Sequence, residues 1–141
     1  APTGHTRLLL DTAGAYHRDM VRQSGDTLGI HTPLMLLQDR DLTKVVLVTT
    51  PEPTGVSEAA ALQEDLRRAG IEPWAWVVNS SLAAAHPTSQ LLRQRAQAEG
   101  EQYIRITDLC ERVAAVPLLA EEPVGSEALL HLALARAPVG R

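Results

Sequence analysis

The alternation of apolar and polar positions is clearest between Thr43 and Asn79, where it predicts one complete strand–helix–strand unit. Lys44-Val45-Val46-Leu47-Val48-Thr49-Thr50 is an almost unbroken apolar, β-branched run, the pattern of a strand buried on both faces of a parallel sheet. Parallel strands cannot be joined by a tight turn, so a helix must cross over. Thr54 is placed to N-cap that helix, Glu58 to meet the positive end of its dipole in the first turn, and Gly70 to turn left-handed after its last turn. Val56, Ala59, Leu62, Leu66 and Ala69 recur at helical spacing, while Glu58, Glu64, Asp65, Arg67 and Arg68 hold the other face. Trp74-Ala75-Trp76-Val77-Val78-Asn79 returns as a second buried strand, and the order predicts a right-handed βαβ crossover.

On either side the pattern is weaker. Ala1-Pro2-Thr3-Gly4-His5-Thr6 is a loop by its Pro and Gly, and without an initiator Met it reads as a chain entered midway. Thr6 to Arg22 suits a short helix, broken at Thr12-Ala13-Gly14 before a second piece holding Tyr16, Met20 and Val21, and Ser24 to Gly29 is a turn. His31 to Arg40 predicts a short apolar helix with Pro33 in its first turn and its Leu and Met residues in the core. Ser80 to Pro87 reads as a connection. Thr88 or Ser89 then caps a helix that uses Leu91, Leu92 and Ala96, and Gly100 interrupts it before Tyr103, Ile106 and Cys110 resume the face. Val113-Ala114-Ala115-Val116-Pro117-Leu118 is a third strand. A last helix spans about Gly125 to Arg136, and Ala137 to Arg141 is a frayed terminus.

Composition narrows the class. With 141 residues and no Phe, the chain is one domain's worth with a core of Leu, Val and Ala, which suits layers packed on an α/β sheet. The net charge of −4 is mild and its signs are interspersed, so nothing argues for nucleic acid or an anionic membrane as partner. Cys110 is the single cysteine, which rules out an internal disulfide. No run approaches a membrane span and no leader-like succession occurs, which predicts a soluble, cytoplasmic chain.

Ligands of open parallel sheets bind beyond the carboxyl ends of the strands. That rule selects Pro51-Glu52, Asn79-Ser80 and Leu119 to Pro123. An Asn at a strand end offers a planar donor–acceptor fork suited to a nucleobase, and equally suited to capping a neighbouring loop; from position alone the cap is favoured. Glu52 reads as the partner of a loop amide. Cys110, in helical context, reads as a small core residue rather than a reactive thiol. His5, His17 and His31 match no common zinc spacing, and no Ser occupies the elbow that a serine hydrolase built on His5 and Asp11 would need. There is no G-x-x-x-x-G-K-[ST] phosphate loop, so hydrolysis by this chain alone is not expected.

Ala1-Pro2-Thr3-Gly4-His5-Thr6 resembles the tail of the Asp-Thr-Ala-Pro-Thr-Gly-His-Thr signature of arsenite-pump-driving ATPases and their tail-anchored-protein-targeting relatives, without the Asp and Thr that begin it. Leu8-Leu9-Leu10-Asp11, Ala15-Tyr16-His17-Arg18, Thr32-Pro33-Leu34-Met35-Leu36-Leu37-Gln38-Asp39, Thr43-Lys44-Val45 and Pro51-Glu52 look like the second half of the tandem arsenite ATPase. So do Leu62-Gln63, Ala69-Gly70-Ile71, Pro73-Trp74, Asn79-Ser80-Ser81, Leu91-Leu92-Arg93 and Val116-Pro117, which carries the likeness over nearly the whole chain.

The resemblance implies a partial P-loop-NTPase-type α/β fold, about three parallel strands flanked by helices, lacking the N-terminal phosphate-loop portion. Residues 1–141 would then be the C-terminal portion of a single such domain, with 1–42 a helical segment after the switch signature, 43–79 the βαβ unit and 80–141 a helix–strand–helix. It reverses the odds at Asn79, which matches the position that hydrogen-bonds adenine, and it makes Pro117, Leu118, Leu119 and Glu121 part of the loop packed over the base. Thr3, Gly4 and His5 would be the remnant of the switch that senses the γ-phosphate, with Gly4 a backbone pivot and His5 a ligand for a regulatory metalloid. The implied parent uses ATP and magnesium, responds to arsenite or antimonite, and drives a membrane arsenite efflux pump. It would be cytoplasmic, held at the inner membrane through that pump, with an N-terminal half or second subunit and a metallochaperone as further partners. The missing upstream strands would leave an apolar sheet edge or face through which this chain self-associates. The other readings are a non-catalytic α/β binding or assembly module and a fragment of a tail-anchored-protein targeting ATPase. The latter is disfavoured because Met20 and Met35 are the only methionines where that class carries a Met-rich insert.

Overall fold

A computed structural model describes residues 32–134. In chain order they form α1 (Pro33–Gln38), β1 (Val46–Thr49), α2 (Pro53–Arg68), β2 (Ala75–Ser81), α3 (Leu82–Ala85), α4 (Gln90–Ala98), α5 (Gly100–Leu109), β3 (Val113–Pro117) and α6 (Gly125–Leu134). The fold is α/β, a three-stranded parallel sheet in the order β1-β2-β3 with helices in the connections. The elements expected at Thr6 to Arg22 and Ser24 to Gly29, and the terminus from Ala137, lie outside the described residues. The described chain divides into two compact units: the residues up to Leu47 with Ser57–Trp74, and Val48–Val56 with the residues from Ala75 onward.

The strand–helix–strand unit forms where the pattern places it, with three corrections. β1 is shorter than the apolar run, and its burial alternates: Leu47 and Thr49 are buried, while Val46 is exposed and Val48 is 64% exposed. An unbroken β-branched run permits burial on both faces but does not require it. α2 begins at Pro53, so Thr54 lies inside the first turn rather than capping it, and Glu58 falls outside that turn. Pro53 takes the first helical position because its missing N–H would have no intrahelical partner there. β2 leaves Trp74 outside and exposed but continues two residues past Asn79.

In the first unit the end of α2 is the fixed point. Ile71 N donates to Leu66 O at 2.9 Å and Gly70 N to Arg67 O at 3.0 Å, the paired bonds of a Schellman motif, with Gly70 left-handed at φ 76°. Leu66 and Ile71 are both buried beside this turn. Gln38 Nε2 reaches across from α1 to Ala69 O at 2.8 Å, so a polar side chain occupies another of the carbonyls that the helix end leaves free. Arg67 grips Glu72 with both its Nε and its Nη2, the closest approach being 2.7 Å, and the guanidinium holds that carboxyl below its usual range. α1 starts as expected, with Thr32 accepting from Met35 N at 3.3 Å and Pro33 next. Its apolar residues are not core, however: none is buried, and Met35 and Leu36 are exposed. A six-residue helix has too little periodicity to declare a buried face.

In the second unit Trp76, Val78 and Ile106 are fully buried. β2 and β3 run parallel, with Trp76 beside Val113, Val77 beside Ala114 and Val78 beside Ala115. Gly55 marks a close approach of the first turn of α2 to the end of β1: a Cβ there would stand 2.8 Å from Thr50 Oγ1 and 3.0 Å from Thr49 Oγ1. The segment expected as a plain connection contains the last two residues of β2 and all of α3. α4 follows Ser89, which makes no side-chain cap, and its expected apolar face is absent, since Leu91 is 62% exposed and no residue of the helix is buried. The interruption comes at Glu99, one residue before Gly100, and α5 then buries Ile106 with Gln102.

Gly70→Ala would force a Cβ into the left-handed region and within 3.0 Å of Gln38 Nε2. The expected cost is about 1–2 kcal/mol, read as a lower urea midpoint at unchanged slope; a midpoint equal to that of the parent would contradict this account of the turn.

Candidate functional site

The carboxyl ends of the strands gather on one rim, and in the second unit that rim carries Pro51 and Glu52 after β1, Asn79 and Ser80 near the end of β2, and residues 117–123 at and after the end of β3. β2 reaches it irregularly. Val78 stands opposite Ala115, but the next pair is Ser81 with Pro117, so β2 carries one residue more than β3 over the same stretch. Asn79 and Ser80 therefore form a β-bulge, which is uncommon in parallel pairs. Ser80 has φ 58°, a left-handed conformation that few residues other than glycine adopt. Both residues are exposed, which breaks the alternation of the strand.

Beyond the bulge the chain is fastened again. Leu118 N donates to Ser81 O at 2.9 Å, which holds the start of the loop after β3 against the end of β2. The fully buried Ser81 hydroxyl donates to Glu99 Oε2 at 2.7 Å and accepts from Ala84 N at 3.1 Å and Tyr103 Oη at 2.8 Å. Its one donor and both lone pairs are in use. Glu99, between α4 and α5 and only 7% exposed, accepts in addition from Leu82 N at 2.9 Å and Ala83 N at 3.1 Å. Those two amides open α3, where no intrahelical acceptor exists for them. Hydrogen bonds to a charged group contribute about 1.5–3 kcal/mol each, and a buried donor left unpaired costs about 1–3 kcal/mol, so this cluster is costly to disturb in any single place. Burial pushes the Tyr103 phenol above its usual pKa; its bond to Ser81 opposes that shift, and the negative charge of Glu99 adds to it.

Asn79, Pro117 and Leu118 are thus brought to neighbouring strand ends. Leu119 and Glu121 follow in the loop, exposed, as is Leu118, while Pro117 is half-buried. Asn79 is exposed and its side chain makes no hydrogen bond among the described residues, so it caps no described loop. Glu52 caps no loop amide there either; its backbone carbonyl accepts from Val56 N at 2.9 Å and its side chain is exposed. Cys110 follows the end of α5, half-buried rather than core, with its thiol 3.5 Å from Arg112 O. Thr3, Gly4 and His5, with Asp11, His17 and His31, lie outside the described residues. Among the described residues no group of three or more His, Cys, Asp or Glu is placed to hold a metal ion, and no helix is long and apolar enough to cross a membrane.

The trio of Ser81, Glu99 and Tyr103 was not foreseen from the sequence. A signal existed: Ser81 precedes the helix-favouring Leu82-Ala83-Ala84-Ala85, an N-cap pattern, and Glu99 and Tyr103 are four residues apart on one helical face.

The anion-transporting ATPase family description matches residues 7–135. The chain belongs to this family. The α/β sheet is the architecture expected of its P-loop-NTPase-like domain. Over 134 residues the chain is 54% identical to an arsenical pump-driving ATPase of Escherichia coli, a stretch that covers 94% of this chain and 23% of the relative. An arsenical pump-driving ATPase of Acidiphilium multivorum is 54% identical over 133 residues, with the same coverage. The chain therefore spans 23% of the length of these family members.

Tyr103→Phe removes the bond to Ser81, with an expected loss of about 1 kcal/mol at neutral pH. Because the folded pKa of Tyr103 lies above its ordinary 10.0, the native state of the parent is unaffected by this group below pH 10 and loses stability as pH rises from there. The phenylalanine variant lacks that loss. Urea titrations should therefore show the gap between the two proteins narrowing above pH 10; a gap independent of pH would contradict the assignment.

Proposed function

We propose that these residues belong to an arsenical pump-driving ATPase, in the second half of a tandem enzyme, and that the bulged end of β2 forms the adenine-contacting wall of its ATP site. The observation that carries this reading is the state of Asn79: an exposed amide without a partner among the described residues, on the rim where ligands of parallel sheets bind. Its fork presents a donor and an acceptor in one plane, which complements the edge of adenine. Pro117, Leu118 and Leu119 supply apolar surface beside it for the face of the ring, and Glu121 lies further along the same loop.

The role proposed for the described residues is confined to the base. The phosphate loop is not among the 141 residues, so the γ-phosphate chemistry falls to residues beyond them. Thr3, Gly4 and His5 would serve as part of the switch, with His5 available to arsenite or antimonite as an allosteric ligand. ATP binding then closes this part against another half or a second subunit, and hydrolysis reopens it. That cycle would drive a membrane efflux pump for arsenite or antimonite at the inner membrane, with a metallochaperone delivering the metalloid.

Asn79→Ala in the full-length protein is expected to weaken ATP binding about tenfold while turnover at saturating ATP changes far less. Equilibrium binding alongside steady-state hydrolysis separates the two, and an unchanged nucleotide affinity would sink the assignment.

A further inference from the structure

We infer that Glu99 is a positioning residue for base recognition: from the α4–α5 junction its buried carboxylate fixes the bulge that presents Asn79. This rests on the reading that Asn79 contacts adenine.

The bulge has two anchors. Upstream, the regular pairing of Val78 with Ala115 holds β2 against β3. Downstream, the three residues after Ser80 are tied to Glu99 through the Ser81 hydroxyl and the Leu82 and Ala83 amides, and Tyr103 bonds to the same Ser81 hydroxyl. Asn79 and Ser80 lie between them. A left-handed serine persists only where its surroundings over-determine it, because the conformation costs an L-residue free energy and relaxes once the constraint is released. On the downstream side the constraint is this carboxylate together with the pairing of Ser81 with Pro117 and the Leu118 N–Ser81 O bond, and the carboxylate alone joins Ser81, Leu82 and Ala83 at one point.

Both its oxygens are committed: Oε1 to Leu82 N, Oε2 to Ser81 Oγ and Ala83 N. An amide in its place keeps one acceptor and turns a donor toward at least one N–H. The anchoring of the Ser81–Ala83 segment would then be weakened, and two things depend on where that segment sits. One is the peptide that orients Asn79; the other is the loop after β3, whose first amide, Leu118 N, is bonded to Ser81 O. Glu99 thus governs both sides proposed to hold the base while touching neither. A carboxylate that served only to stabilise the fold would change how much protein folds, not which base the folded protein prefers.

The test uses the full-length protein, with ATP, GTP and inorganic tripolyphosphate as probes. Glu99→Gln is expected to weaken ATP about fivefold, less than Asn79→Ala does, to leave tripolyphosphate binding unchanged, and so to reduce the preference for ATP over GTP. In an Asn79→Ala background the same substitution should weaken ATP by less than it does in the parent, because one of the two sides being positioned is gone. Tyr103→Phe keeps the carboxylate and should give a smaller loss of the same base-selective kind, which supplies a readout should Glu99→Gln fold poorly. Equal weakening of ATP and tripolyphosphate, or full ATP affinity in both folded variants while Asn79→Ala weakens binding, would overturn the inference and leave the adenine reading standing. An Asn79→Ala protein with full ATP affinity would overturn both.

Discussion

β2 and β3 run parallel, and this imposes a constraint from which most of the second unit follows. A chain leaving the carboxyl end of β2 must travel back along the sheet before it can begin β3, and α3, α4 and α5 make that journey. The return path has to start at the rim where ligands of such sheets bind, so the first helical turn after β2 opens beside the candidate site. Its first amides need acceptors in a place that is partly buried. Glu99 supplies them from the middle of the return path, and the connection is thereby tied to the strand it left. One backbone requirement has been met by a side chain that also fixes local geometry.

What the sequence made legible depended on how local the cause was. The βαβ unit could be read because its signals act over a few residues: an apolar β-branched run, helical spacing from Val56 to Leu66, and a glycine where a left-handed residue closes a Schellman turn. Asn79 could be placed at a strand end for the same reason. Exposure was less legible. Val46 and Val48, Leu91, Met35 and Leu36 were assigned to buried faces because they are apolar, yet burial requires a neighbour, and periodicity alone does not say whether one is present.

The bulge and its anchor were the least legible. Bulges commonly announce themselves with a glycine, but here Ser80 takes the left-handed position, and nothing in Val78-Asn79-Ser80-Ser81 departs from an ordinary strand end. Nothing adjacent to Glu99 in the chain marks it as an anchor, since its partners lie on Ser81, Leu82 and Ala83, far back in the chain. Hydrogen-bond networks of this kind are products of tertiary structure. The resemblance to a family pointed to the residue proposed to face the base and was silent on the residue behind it.

The one-residue excess of β2 over β3 also restricts how this corner can evolve. Connections at strand ends ordinarily tolerate insertions and deletions. Side chains on a regular strand alternate with a period of two, so the extra residue is what lets Val78 and Ser81, three positions apart, share a buried face; deleting Asn79 or Ser80 would leave Ser81 opposite Pro117 and abolish the exposed pair. An inserted residue would either enlarge the bulge or turn the Ser81 hydroxyl away from Glu99. Position 80 needs only a residue that accepts a left-handed backbone, whereas the number of residues between Val78 and Ser81 decides whether the exposed pair exists at all. At this rim, chain length sets the geometry more than composition does.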